Sequence, residues 1–237
     1  MEKTKNAHFT LPFQFDVEKL RADLTKCQAF DFLPNYIKEN YQGDKYILPL
    51  RSIHGELNRV AALPNSTHLY QNTKALNACP YFQEVIKTFE CEKESIRLMN
   101  LAAGKHINEH TDDGSGYEDG YFRIHVPIIT NEEVIFTLNG EDLQMQAGSA
   151  WYANINLPHS VQNKGKSDRI HLVIDCLRND WSDKLFAKMG YDFEYEKAKN
   201  ETEYSEETLK LIIANLEAQN TKETTAIARE LRQKHQL

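Results

Sequence analysis

The sequence predicts a mainly β domain with helices at both ends, built as an antiparallel sandwich or barrel-like jelly roll. Three observations predict it. Short strand-like runs follow one another between residues 96 and 176, separated by turn residues. Asn139-Gly140, set between two apolar runs, is a strong hairpin signal. From residue 180 onward the texture changes to Glu- and Lys-rich sequence without proline, with apolar residues at helical spacing.

Taken in order, Phe13 and Phe15 precede a short helix in which Val17, Leu20 and Leu24 share a face and Asp16 is placed to cap. A second helix starts at Pro80, where a first-turn proline belongs. Its Phe82, Val85, Ile86 and Phe89 form an i, i+3, i+4, i+7 stripe. Strands are expected at 96–101, 121–130, 134–138, 142–145, 150–153, 160–162 and 169–176, with Lys164-Gly165-Lys166-Ser167 turning into the last. Leu209, Ile212, Ile213 and Leu216 make a further helical stripe, and Ile227 and Leu231 continue on another. A solvated tail from about residue 218 is the alternative for that end. The expected division is a β domain with N-terminal helical elements over 1–178 and a C-terminal helical extension over 179–237.

A chain of 237 residues is long enough for a sizeable core. Its 35 acids against 28 bases, a formal charge of -7, make a poor partner for nucleic acid or an anionic membrane. No apolar run reaches the roughly 18 residues that would span a bilayer. Met1-Glu2-Lys3-Thr4-Lys5 lacks the apolar stretch of a secretory leader, so a cytoplasmic protein is expected. Cys27, Cys79, Cys91 and Cys176 contain no CxxC pair and are expected as buried, reduced thiols.

The chemistry concentrates in His110-Thr111-Asp112, Pro158-His159-Ser160 and Asp168-Arg169-Ile170-His171. On an extended chain His110 and Asp112 point to one side. His159, from a distant strand, would complete a set of two imidazoles and one carboxylate. Such a set occupies one face of an octahedral Fe(II) and leaves the other positions open for dioxygen and substrate. An HxD pair alone carries little weight. Arg169, ten residues beyond His159, adds to it, because a 2-oxo acid co-substrate needs a cation for its distal carboxylate and a guanidinium can hold it bidentately. His106-Ile107-Asn108-Glu109-His110 also matches the H-x-x-E-H pattern of inverted zinc peptidases. That chemistry needs a helix, and the flanking Ala103-Gly104 and Asp113-Gly114 leave little room for one. A third reading is a non-catalytic jelly-roll binding domain. In Phe122-Arg123-Ile124-His125-Val126-Pro127, Arg123 and His125 share one face; bound carboxylates would justify pointing them inward. Arg97, one strand earlier, could add a carboxylate contact or be an ordinary ion pair. His171 shares a face with Arg169, and Trp151 and Tyr152 are expected to pack the barrel.

Together these stretches resemble the aspartyl/asparaginyl β-hydroxylase family. The resemblance runs through Arg97-Leu98-Met99-Asn100-Leu101, His110-Thr111-Asp112, Arg123-Ile124-His125-Val126-Pro127-Ile128, Gly148-Ser149-Ala150-Trp151-Tyr152, His159-Ser160-Val161-Gln162-Asn163 and Asp168-Arg169-Ile170-His171-Leu172. It covers about residues 95–178 and is closest in pattern to the bacterial L-proline cis-hydroxylases, which keep a His-x-Asp pair. The resemblance implies a double-stranded β-helix (jelly roll, cupin-like) core, Fe(II), and 2-oxoglutarate as co-substrate. It implies iron on His110, Asp112 and His159. The distal carboxylate of 2-oxoglutarate would lie on Arg169 and its metal-side carboxylate near His125, leaving Arg97 and Arg123 for the substrate carboxylate. The implied substrate is a small molecule, a free amino acid. A peptidyl aspartyl/asparaginyl β-hydroxylase is the alternative within the family. Ala153-Asn154-Ile155-Asn156 stands where relatives often carry an acid, which leaves the particular amino acid open.

Overall fold

Two antiparallel sheets face each other across one apolar layer. The computed structural model describes residues 5–34, 46–61, 66–201, 205–235 and 237, so residues 1–4, in the segment read for a leader, lie outside the described residues. In chain order the strands are β1 (His8–Gln14), β2 (Ile47–Ile53), β3 (Tyr70–Asn72), β4 (Lys93–Leu101), β5 (His106–His110), β6 (Tyr121–Ile129), β7 (Val134–Leu138), β8 (Glu141–Leu143), β9 (Ser149–Ala153), β10 (His159–Asn163) and β11 (Arg169–Leu177). The larger sheet runs β1-β9-β6-β11-β4-β2-β3 and the smaller β5-β10-β7-β8. Ile47, Leu101 and Ala153 of the first meet Ile107, Phe136, Leu138 and Val161 of the second in one buried cluster. This is the double-stranded β-helix expected.

The strands form where apolar residues alternate or run unbroken. In β7 the burial alternates from Val134 to Leu138, one face on the core. Strand β11 is buried almost throughout because it sits mid-sheet, between β6 and β4, covered on both faces. The hairpin joins β7 to β8 through Asn139 and Gly140, at φ of 47° and 78°, with Leu138 paired to Glu141. A two-residue turn with both central residues left-handed has the twist that matches the strands it joins.

Helix α1 (Val17–Cys27) is capped by the Asp16 carboxylate, which accepts from the Glu18 and Lys19 amides, and it lies against β6. Helix α2 (Lys74–Asn77) packs on β2, and α3 (Pro80–Lys87) packs on α1. The buried Asp23 of α1 accepts from the Phe82 amide at 2.9 Å, satisfying an orphan donor in the first turn of α3. All four cysteines are free thiols; those of Cys27 and Cys79 stand 3.5 Å apart in the α1–α3 contact.

The chain divides into two compact units, Met1–Tyr191 and Asp192–Leu237. The first includes α4 (Asp180–Lys188), whose Phe186 enters an aromatic cluster with Phe9, Tyr117, Phe122, Tyr152 and Tyr191. The second contains α5 (Phe193–Glu201), α6 (Glu206–Gln219) and α7 (Lys222–His235). Here α6 buries Leu209 and Ile213, and Arg232 reaches back from α7 to Glu217 at 3.0 Å. The inward face of α7 centres on Ala228, while Ile227 is exposed, one position away from the stripe expected.

Truncating Phe186 to alanine empties the centre of the aromatic cluster. Large-to-small changes of this kind cost about 3–5 kcal/mol. Urea denaturation of Phe186→Ala is expected to show a loss in that range. A change below about 1 kcal/mol would mean that α4 is not part of the core.

Candidate functional site

Strands β5 and β10 pair so that His110 stands opposite His159, with ring centroids 4.3 Å apart. Asp112, just past the end of β5, is held by its backbone N–H, which donates to the Ile155 carbonyl at 2.9 Å. Gly114, at φ +72°, then turns the chain away. Ligand atoms of His110, Asp112 and His159 all lie within 4.8 Å of one another, the one such group among the described residues.

Each imidazole is oriented from behind. His110 Nδ1 donates to the Asn108 carbonyl at 2.8 Å, and His159 Nδ1 to the Leu157 carbonyl at 3.0 Å. A carbonyl only accepts, so the proton sits on Nδ1 and the Nε2 lone pair faces the shared centre. That is the tautomer a metal ligand needs. Burial lowers the pKa of His159 to about 4, only partly opposed by the Leu157 bond, so its imidazole is neutral at physiological pH. Burial alone would raise the Asp112 carboxyl. The facing charge of Arg123, which also donates to the carboxylate, leads the effects that overcome it and leave the pKa below the usual value.

These three residues open onto a small cavity of about 30 Å³. Its other polar walls are Arg123, His125 and Arg169; its apolar walls are Met99, Ile107, Phe136, Ile155 and Val161. His125 is buried, and neither of its ring nitrogens has a hydrogen-bond partner. Burial, then the charges of Arg169 and Arg123, push its pKa well down, so it is a neutral ring. Arg169 is 2% exposed, and its Nη2 donates to His171 Nδ1 at 2.9 Å.

The structure thus brings His110, Asp112, His159, Arg123, His125 and Arg169 to one cavity. Arg97 is outside its lining. Its guanidinium closes on Asp175 at 3.1 Å and on the Ser95 hydroxyl at 2.8 Å, which is the ion-pair alternative. Arg123 is also engaged, with Nη1 on Asp112 at 2.8 Å and Nε on Asp175 at 2.7 Å. Asp175 is the residue that the sequence reading missed. The available signal was an acid in a run of buried strand residues, on the same face as Arg169 and His171. Burying such a carboxylate demands charged partners. The zinc-peptidase reading fails on geometry. Residues 106–110 are strand β5, not a helix, and Glu109 points away from the face that carries His110.

The aspartyl/asparaginyl β-hydroxylase family model matches residues 14–179. The chain is similar to the L-proline cis-4-hydroxylase of Rhizobium meliloti (strain 1021), at 25% identity over 177 residues. The match takes in 72% of this chain and 60% of that protein, so the chain spans under two thirds of the relative's length. Among solved structures it is similar to a Pseudomonas putida prolyl-4-hydroxylase, at TM-score 0.46 and 14% identity over 73% of this chain and 94% of that one. It is also similar to an oxidoreductase of the 2OG-Fe(II) oxygenase family from Burkholderia pseudomallei, at TM-score 0.45 and 16% identity, over 73% and 86% of the two chains.

Asp112 and Asp113 are adjacent acids, but only Asp112 shares the centre with the two imidazoles. In Mn(II) titrations of the metal-free protein, Asp112→Gly is expected to weaken binding by about 100-fold or more, near 2.7 kcal/mol. Asp113→Ala is expected to bind as the wild type does. The reverse ranking would reassign the carboxylate.

Proposed function

Because the chain belongs to the aspartyl/asparaginyl β-hydroxylase family, we propose that it is an Fe(II)- and 2-oxoglutarate-dependent dioxygenase that hydroxylates an unactivated C–H bond of a free amino acid. The observation that carries this reading is the cavity itself. Two imidazoles and one carboxylate converge on a point, beside an inward guanidinium and a buried histidine whose ring nitrogens lack partners. The donor set suits Fe(II), whose common protein site is two histidines and one carboxylate. The unpartnered nitrogens of His125 suit a bound carboxylate, since burying polar atoms with nothing to bond is costly.

His110, Asp112 and His159 would hold Fe(II), which would supply the chemistry that couples oxidative decarboxylation of 2-oxoglutarate by dioxygen, to succinate and carbon dioxide, to hydroxylation of the C–H bond. The protein's share is binding and exclusion of water. His110 and His159 present Nε2, and Asp112 presents one carboxylate oxygen. Arg169, steadied by His171, holds the distal carboxylate of 2-oxoglutarate. His125, neutral and dry, donates to the carboxylate nearer the metal. Arg123 has five N–H donors, three of them on Asp112 and Asp175; the other two are left for a substrate carboxylate. Met99, Ile107, Phe136, Ile155 and Val161 keep the site dry.

A free amino acid is proposed on two grounds. A free α-carboxylate suits Arg123, and the relative from Rhizobium meliloti is named for L-proline. A proline-like substrate is therefore the first to test, followed by the other free amino acids.

Purified protein is expected to release succinate from 2-oxoglutarate only with Fe(II), and His110→Ala or His159→Ala to abolish this. Equal turnover with Zn(II) in the absence of the oxo acid would overturn the proposal. Arg169→Ala is expected to raise the KM for 2-oxoglutarate roughly 10- to 100-fold, the worth of a charge-assisted pair of about 1.5–3 kcal/mol. An unchanged KM would give that carboxylate to another cation.

A further inference from the structure

Asp175 has no solvent exposure. Strand pairing places it opposite Arg123 of β6 and diagonal to Arg97 of β4. One of its oxygens takes Nε of Arg123 at 2.7 Å. The other takes Nη1 of Arg97 at 3.1 Å and Nη2 of Arg123 at 3.4 Å. The far side of Arg123 then reaches Asp112, with Nη1 on Oδ2 at 2.8 Å. The other oxygen of Asp112, Oδ1, is the one turned toward His110, 3.7 Å from its Nε2.

We propose that Asp175 is a positioning residue. Through Arg123 it holds Asp112 with Oδ2 withdrawn, so that the carboxylate can offer a metal only Oδ1. This rests on the metal site proposed above and adds the device that sets its coordination.

Two histidines and a one-oxygen carboxylate fill three of six octahedral positions. A chelating oxo acid needs two of the remainder and dioxygen one. A carboxylate binding through both oxygens would leave one position too few. Nothing in an isolated aspartate prevents the two-oxygen mode; a charge-assisted bond to one oxygen does. Arg123 can supply that bond only if its guanidinium plane is fixed, and the two-point contact with Asp175 fixes it. Arg97 completes the set. Two guanidinium and two carboxylate charges sum to zero in a space where any one alone would be expensive. Burial alone would raise the Asp175 carboxyl; its two arginines more than offset this and keep it ionised.

The test is Co(II) titration of the metal-free protein, followed by its visible d–d absorption, which reports coordination number. Wild type, Asp175→Asn, Arg123→Lys and His159→Ala are compared. Lysine keeps the charge of Arg123 but has a single nitrogen and cannot bridge two carboxylates. Asp175→Asn and Arg123→Lys are each expected to weaken Co(II) binding by roughly 10- to 100-fold, as loss of an orienting partner does, and to change the spectrum. Folded Asp175→Asn with wild-type affinity and spectrum would overturn the proposal. So would a lower melting temperature with an unmoved spectrum, the sign of a purely structural role. If Asp175→Asn does not fold, Arg123→Lys decides by the same criteria. A crystal structure of the Co(II)-loaded wild type decides without any variant: Asp112 bound through both oxygens, with Arg123 off it, overturns the inference. If His159→Ala binds Co(II) as well as wild type, the metal site itself is wrong, a failure distinct from these.

Discussion

Three arginines, Arg97, Arg123 and Arg169, and two histidines, His125 and His171, point inward from the central strands of the larger sheet, where a guanidinium left unpaired would cost several kcal/mol. The buried ion pairs of Asp175 make that interior tenable. They neutralise Arg97 and turn Arg123 toward Asp112, beside His125 and Arg169 in the cavity wall. The sheet order follows the same need. Strand β11 lies between β4 and β6, so its inward residues Arg169, His171 and Asp175 sit within reach of both neighbours.

The smaller sheet supplies the other half by a different device. Its contribution is backbone geometry: the carbonyls of Asn108 and Leu157, each two residues before a histidine, fix which ring nitrogen carries the proton. Pairing β5 with β10 then sets the two imidazoles side by side before any metal is considered. Preorganisation of this kind lowers the entropy that binding must spend. One sheet holds charge and the other holds orientation. The cavity lies where their residues meet, as sites do in the mouths of barrel-like folds.

Much of this was legible in the sequence where one residue type has one strong local meaning. Asp16 caps α1, Pro80 opens α3, and Asn139-Gly140 closes the β7–β8 hairpin, each where read. The expected strands from residue 96 onward fall within a few residues of those observed. Strands β1 and β2 fall outside that expectation, and each contains a proline, which weakens a strand signal. Pro12 is tolerated on an edge, where the pairing with β9 slips, and Pro49 at a bulge against β4. The cavity residues were legible by type and spacing, but their partners were not. Arg97 looked available for a ligand carboxylate because Asp175, 78 residues away, carries no local signal; only the pairing of β11 with β4 brings them together.

The account rests on one claim: that this cavity takes Fe(II) and a 2-oxo acid together, the acid chelating the metal while its far carboxylate reaches Arg169. Anaerobic mixing of the metal-free protein with Fe(II), followed by titration with 2-oxoglutarate, tests it most directly. Chelation of Fe(II) by a 2-oxo acid produces a visible metal-to-ligand charge-transfer absorption. The account predicts that this absorption appears and saturates in the wild type, needs a much higher 2-oxoglutarate concentration in Arg169→Ala, and is absent in His159→Ala. A wild-type protein that binds Fe(II) but develops no absorption at any 2-oxoglutarate concentration would contradict it.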